Sequence, residues 1–252
     1  MARFKVGVQL RPQHCEMKQL RAAWQAADSL GVDTIWTWDH FYPLYGDPAG
    51  AHFECWTVLA AMAADTSHAR FGALVTCNTY RNPDLLADMA RTVDQISGGR
   101  LILGIGAGWF ERDYTEYGYE FGTGPERLRA LRESLPRIEA RLAKLNPSGE
   151  NIPLMIGGSG EKVTLRIVAE RAQLWNAFGP VDNFARKNAI LTDWCQKVGR
   201  DPAEIDRTVM INPDEVDNFQ AYLDAGATHL IVGSDVPFDL TAVERLVAHA
   251  RG

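Results

Sequence analysis

An imidazole beside a carboxylate is the first place to look for chemistry in this chain, and Asp39-His40 supplies one at the end of a short apolar run, Thr34 to Trp38. The ordinary pKa of histidine suits proton transfer near neutral pH, and a neighbouring acid can supply charge or hold a tautomer. Adjacent strand residues face opposite ways, so one of the two is free to be structural. A second candidate runs from Leu101 to Trp109, where an apolar strand opens into Gly104, Gly106 and Gly108. A lone glycine there is ordinary close packing. Glycines at alternate positions, followed by an aromatic and Glu111-Arg112-Asp113, suggest instead a wall without side chains lying against a planar ligand. The dinucleotide fingerprint fails, because its last glycine falls on Trp109 and Tyr114 to Gly124 shows no amphipathic helix. A third candidate is Gly157-Gly158-Ser159-Gly160-Glu161-Lys162, a strand end leading into a helix, where free backbone N–H groups and the helix dipole favour an anion such as phosphate. A tight turn with a serine cap is the competing structural explanation. Without G-K-[S/T] it is no Walker loop.

Other chemistries find no support. The remaining histidines (His14, His52, His68, His229 and His249) form no metal-spaced group and there is no H-E-x-x-H, so no catalytic metal is expected. A G-x-S-x-G elbow is absent. The net charge of −6, from 26 basic and 32 acidic residues without a basic run, argues against nucleic acid or an anionic membrane as partner. Cys15, Cys55, Cys77 and Cys195 are far apart, which predicts reduced thiols and a cytoplasmic protein. The N-terminus shows no signal-peptide pattern and no apolar stretch spans a bilayer. Trp36, Trp38, Phe41, Tyr42, Trp56, Tyr80, Trp109 and Trp175 gather near strands or their exits and suit a large planar ligand, whereas Trp24 and Trp194 read as helix core.

The elements that must position these residues alternate along the chain. Strands are predicted over Phe4–Leu10, Thr34–Trp38, Phe71–Thr76, Leu101–Ile105, Ile152–Ile156, Gln173–Phe178, Arg207–Ile211 and Thr228–Gly233, each followed by a helical segment. Gly31 reads as a left-handed C-cap, Asn82-Pro83-Asp84 as a helix start, and Pro136 as a kink or break in the helix Arg127–Leu145. Eight such units in 252 residues predict an α/β fold, a (β/α)8 TIM barrel forming a single domain over 1–252. Its ligand site belongs at the C-terminal strand ends, which also brings in Gln9, Arg11, Thr76–Asn78, Asn176, Asn212, Ser234 and Asp235.

In this order, Trp36–Phe41, Tyr80–Pro83, Ser97–Trp109, Ile156–Glu161 and Leu174–Asn176 resemble the bacterial luciferase-like superfamily, and more closely its deazaflavin (coenzyme F420)-dependent oxidoreductases of actinobacterial type. The resemblance spans nearly the whole chain. It implies a flavin-like ring at the barrel mouth, with the cofactor phosphate on Gly157–Gly160 and a bulge, often with a non-prolyl cis peptide, around Ala73-Leu74 supporting one face. The cofactor-contacting set is then Asp39, Ala73, Leu74, Thr76, Gly106, Ala107, Gly108, Trp109, Gly157, Gly158, Ser159, Gly160 and Asn176. Asp39 and His40 match positions that meet the ring or substrate, and His40 is the first candidate to exchange a proton while a hydride moves between C5 and a small organic substrate. The anionic cofactor tail would call on Arg81, Arg112, Lys162 and Arg186, and a homodimer is implied by the resemblance alone. Two departures bear on substrate. Trp109 replaces the glutamate that the family's sugar-phosphate dehydrogenases carry, and the short connection Asn212-Pro213-Asp214 replaces a long lid, leaving an open pocket. The alternatives are an FMN-dependent luciferase-like monooxygenase and a flavin- or deazaflavin-binding protein without turnover.

Overall fold

The computed structural model describes residues 4–252. Strands β1 (Lys5–Leu10), β2 (Thr34–Thr37), β3 (Arg70–Ala73), β4 (Thr76–Cys77), β5 (Leu101–Gly106), β6 (Leu154–Gly157), β7 (Leu174–Phe178), β8 (Asp206–Ile211) and β9 (His229–Ser234) are all parallel. Their order is β3-β2-β1-β9-β8-β7-β6-β5-β4, and β3 also pairs β5, so the sheet closes on itself. β3 and β4 together form one stave, which makes this the closed eight-stranded barrel anticipated from the alternation.

The interrupted stave is the principal local departure. Phe71 and Gly72 pair Leu101 and Ile102, whereas Thr76 and Cys77 pair Ile105 and Gly106. The stave thus advances four residues while β5 advances three, which is the one-residue surplus of a β-bulge. It falls at Leu74-Val75, joined by a cis peptide, one residue beyond the expected place.

The helices are α1 (Met17–Leu30), α2 (Cys55–Asp65), α3 (Pro83–Ser97), α4 (Glu111–Tyr117), α5 (Gly124–Lys144), α6 (Thr164–Arg171), α7 (Val181–Val198), α8 (Phe219–Asp224) and α9 (Thr241–Arg251). Helix α3 starts as its sequence dictates: the Asn82 side chain accepts from Asp84 N–H and Pro83 occupies the first turn. Gly31 ends α1 at φ 80°, where a side chain would be strained. One expectation fails and another is narrowed. A short helix, α4, does follow the glycine run, and α5 continues through Pro136 rather than breaking there, the proline lying on the exposed face. Between barrel and helices lies the main apolar core, while Trp36, Ile102, Met155, Leu174, Met210 and Ile231 fill the barrel interior with Leu74 at its upper end. Below them Thr34 Oγ1 meets His229 Nε2 at 2.9 Å and accepts from Trp36 Nε1 at 2.7 Å. No helix among the described residues is long and apolar enough to cross a membrane, and the four cysteines are free and buried.

Candidate functional site

A cavity of about 410 Å³ opens at the C-terminal ends of the strands. Asp39, His40, Leu74, Gly106, Ala107, Gly108, Trp109, Gly157, Gly158 and Asn176 of the anticipated residues line it; Ala73, Thr76, Ser159 and Gly160 do not. The bulge explains Thr76. Before it the even-numbered Gly72 and Leu74 face inward; beyond it, the odd-numbered Cys77 does. Thr76 is paired with Ile105, a residue of the outer core, so its side chain turns away from the cavity. Val75, absent from the sequence-based set, lines the cavity instead. Ser159 is half-buried and Gly160 exposed on the turn beyond.

His40 is held in one orientation. Its Nδ1 lies 2.8 Å from Oδ2 of Asp113, which is fully buried and also accepts from the Tyr80 hydroxyl at 2.9 Å and from Phe41 N–H at 3.2 Å. Nδ1 therefore carries the hydrogen, and Nε2, which has no hydrogen-bond partner among the described residues, is left to the cavity. Trp38, Trp109 and Phe110 stand edge-on to the imidazole at 5.8, 5.8 and 5.4 Å between ring centres. Asp113 comes from α4, the helix whose sequence shows no clear period, which is why it escapes a reading by motif.

Asp39 is engaged differently. Its carboxylate is wholly buried, receives two hydrogen bonds from Arg81 at 2.5 and 3.0 Å, and accepts the Cys77 N–H at 3.1 Å. Burial pushes this carboxyl up while Arg81 and the N–H pull it down. Burial prevails for Asp39, whose carboxyl stays above its ordinary value, and it also works against the Arg81 charge, but Asp39 with Cys55 and Glu54 leaves the guanidinium above its ordinary value. The two-point contact identifies the ion pair as the resting form. Arg81 further reaches Glu54 at 2.9 Å and is thereby removed from the set of cations available at the mouth. Arg112 lies 4.1 Å over the Tyr42 ring and donates to Pro48 carbonyl, and Arg186 is paired with Glu161. Lys162 is exposed and unpaired among the described residues.

The glycine run proves to be packing as much as wall. A Cβ on Gly104 would lie 2.0 Å from the Ala73 carbonyl oxygen, one on Gly106 2.7 Å from Val75 Cγ2, and one on Gly108 2.0 Å from the Tyr114 hydroxyl. Gly104 and Gly106 therefore make room for the bulge, and a Cβ on Gly157 would likewise meet Val75 at 2.8 Å. Gly158 is different: at φ 120° its Cβ would meet only Thr164 Cγ2, at 3.4 Å. The backbone N–H groups of residues 159–163 make no backbone hydrogen bonds among the described residues, and no serine cap forms, α6 being preceded by Val163. Two indoles fix this turn: Trp175 Nε1 donates to Gly158 carbonyl at 2.8 Å and Trp194 Nε1 to Glu161 carbonyl at 2.7 Å. Trp194, anticipated as core, is half-buried in this role. Lys187 and then Arg186 neutralise Glu161 and hold its pKa down to about 2.

Across the mouth, Arg11 donates to Asp235 at 2.6 Å and to the Tyr45 hydroxyl at 2.9 Å, and Tyr45 donates to Asp235 at 2.5 Å. This joins the exits of β1, β2 and β9. Burial, then the Asp235 contact, pushes Tyr45 up to about 12. Among the described residues no cluster of three or more histidine, cysteine or acidic side chains could hold a metal.

A family profile described as Luciferase-like monooxygenase matches residues 1–218. The chain belongs to this family. Similar to this luciferase-like protein are the F420-dependent glucose-6-phosphate dehydrogenase of Amycolatopsis mediterranei, 31% identical over 54% of this chain and 40% of that one, and the 5,10-methylenetetrahydromethanopterin reductase of Methanolobus tindarius, 26% identical over 79% and 62%. The chain thus spans about half the length of these two curated relatives. Among solved structures, an F420-dependent secondary alcohol dehydrogenase in complex with an F420-acetone adduct superposes with a TM-score of 0.85 at 14% identity, covering 98% of both chains.

Proposed function

We propose that this chain is an F420-dependent oxidoreductase that moves a hydride between the deazaflavin and an organic substrate, with His40 exchanging the accompanying proton. The observation that carries the reading is the imidazole whose Nδ1 is anchored on buried Asp113 while Nε2 is left to a cavity walled by aromatic rings. The similar glucose-6-phosphate dehydrogenase, named as F420-dependent, supports the same cofactor.

The residues fit a flat cofactor with a phosphate. Unpaired N–H groups on the turn after β6 suit the phosphate, and Gly158 leaves its Cβ position nearly open for close approach. Val75 and Leu74 would support one face of the ring and residues 106–108 its edge. When bound, the deazaflavin supplies C5 as the carbon that takes up or returns the hydride. His40 Nε2 accepts the hydroxyl proton of a substrate being oxidised and returns it in the opposite direction. Asp113 fixes the tautomer, and Asp39, spent on Arg81 and Cys77 N–H, acts by holding the chain beyond the bulge in place. The aromatic ring of Trp109 helps keep water from Nε2.

Titrating the purified protein with the deazaflavin and separately with FMN, followed by fluorescence, tests the reading. Tighter binding of the deazaflavin is expected; preference for FMN would replace it with a monooxygenase, and binding of neither would withdraw the cofactor. His40→Ala is expected to keep cofactor affinity within a few fold and lower turnover by roughly 10²-fold. Unchanged turnover removes His40 from the proposal.

A further inference from the structure

Resting on the hydride-transfer reading of this same cavity, we infer that the substrate is an uncharged, largely apolar alcohol or its carbonyl counterpart, its oxygen on His40 Nε2 and its body against Trp109 and Phe178. Trp109 is 64% exposed and Phe178 60% exposed, yet both belong to the cavity wall. They come from the exits of β5 and β7, so apolar surface is presented from two separate elements around one opening. Leu44 and Met210 add further apolar surface to the same wall. An apolar body laid between these rings removes them from water together with itself, which is the main favourable term available to a small ligand.

The charges in the wall point the same way. Arg11, Asp39 and His40 are its charged or proton-exchanging groups apart from phenols and a thiol, and each is already partnered: Arg11 by Asp235 and Tyr45, Asp39 by Arg81, and His40 by Asp113. Cys77, Tyr45 and Tyr80 are kept protonated by burial. A phosphate or carboxylate beside the reacting carbon would lose its water without gaining an unpaired cation. A neutral hydroxyl or carbonyl asks for one partner only, and His40 Nε2 provides it. In the oxidative direction the carbinol C–H bond yields its hydride to the deazaflavin, the O–H proton passes to Nε2, and C=O forms.

The test uses protein loaded with the deazaflavin, loading being read by fluorescence, and measures calorimetric binding of neutral ketones graded from cyclohexanone to acetonaphthone against cyclohexanecarboxylate and glucose 6-phosphate. The best neutral probe is expected to bind at least about tenfold more tightly than either anion, the cost of leaving a charge uncompensated being at least of that order. Phe178→Arg, which adds an unpaired cation at the exposed rim, should shift the ketone-to-carboxylate ratio about tenfold toward the carboxylate. Equal or tighter binding of the anions by the loaded wild-type protein, or no binding of any neutral ketone, overturns the assignment while leaving the hydride-transfer reading intact. Failure to load the deazaflavin removes that reading, and this assignment with it.

Discussion

Asp113 does more for the site than its place on the connection after β5 suggests. One oxygen accepts from both His40 and Tyr80, the other from Phe41 N–H, so each lone-pair direction in use faces a donor. Asparagine in its place would turn an NH2 toward at least one of those donors, whichever way the amide is set. Asp113→Asn is therefore expected to lower kcat by roughly 10²-fold with KM changed only a few fold, and Asp113→Glu to recover part of the loss. Steady-state kinetics checks this, and equal losses in kcat for Asn and Glu would assign Asp113 a packing role alone. The Asp39-His40 pair was legible in the sequence because both residues follow an apolar run. Asp113 was not, since a partner 73 positions away leaves no local spacing to read. The same distance concealed that Asp39 is already committed to Arg81, 42 positions on.

Among the elements, the stave formed by β3 and β4 decides where the cavity wall lies. Its surplus residue swings Val75 into the gap left by Gly106 and Gly157, and the Ala73 carbonyl uses the space over Gly104. Gly104→Ala would push a methyl carbon to 2.0 Å from that oxygen, a backbone atom that cannot rotate away. A loss of about 1–3 kcal/mol is expected, the usual cost of overpacking, read as a lowered midpoint in urea denaturation. An unchanged midpoint would mean that the bulge shifts freely. Strand positions were readable from bounded apolar runs, but Phe71–Thr76 looks continuous because an extra residue in one strand changes neither composition nor hydrophobicity. Of the alternating glycines, Gly104 and Gly106 accept this bulge and Gly108 makes room for the Tyr114 hydroxyl, while Gly106 and Gly108 also line the cavity as the sequence suggests. Helix α4 was invisible for a related reason: seven residues with Asp113 and Tyr114 turned inward are too few to set up a helical period.

At the scale of the molecule, the closed barrel follows from eight strand-helix alternations, the most readable feature of the chain, while its acid sensitivity depends on tertiary burial. His52 accepts from Trp38 Nε1 at 2.9 Å, and burial followed by the nearby His40 lowers its pKa to about 4. His229, wholly buried at the lower end of the barrel, is lowered by burial to about 3. In the unfolded chain both titrate near about 6.5. Between that value and the folded ones the unfolded state binds more protons, so stability rises with pH and is lost on acidification from about pH 6.5 downward. His229 contributes at most about 1.4 kcal/mol per pH unit to this slope. Thermal melts from pH 7 to 4 should show a falling Tm, with a shallower fall for His52→Gln; identical slopes would mean that His52 titrates alike in the folded and unfolded states. Trp109 and Asp113 also occupy one connection, four positions apart, the first facing the opening and the second anchoring His40. In the proposed function, substrate range and proton exchange thus share a single inheritable segment. Directed evolution that randomises residue 109 alone can explore new substrates, whereas insertions or deletions between 109 and 113 would alter selectivity and disable turnover together.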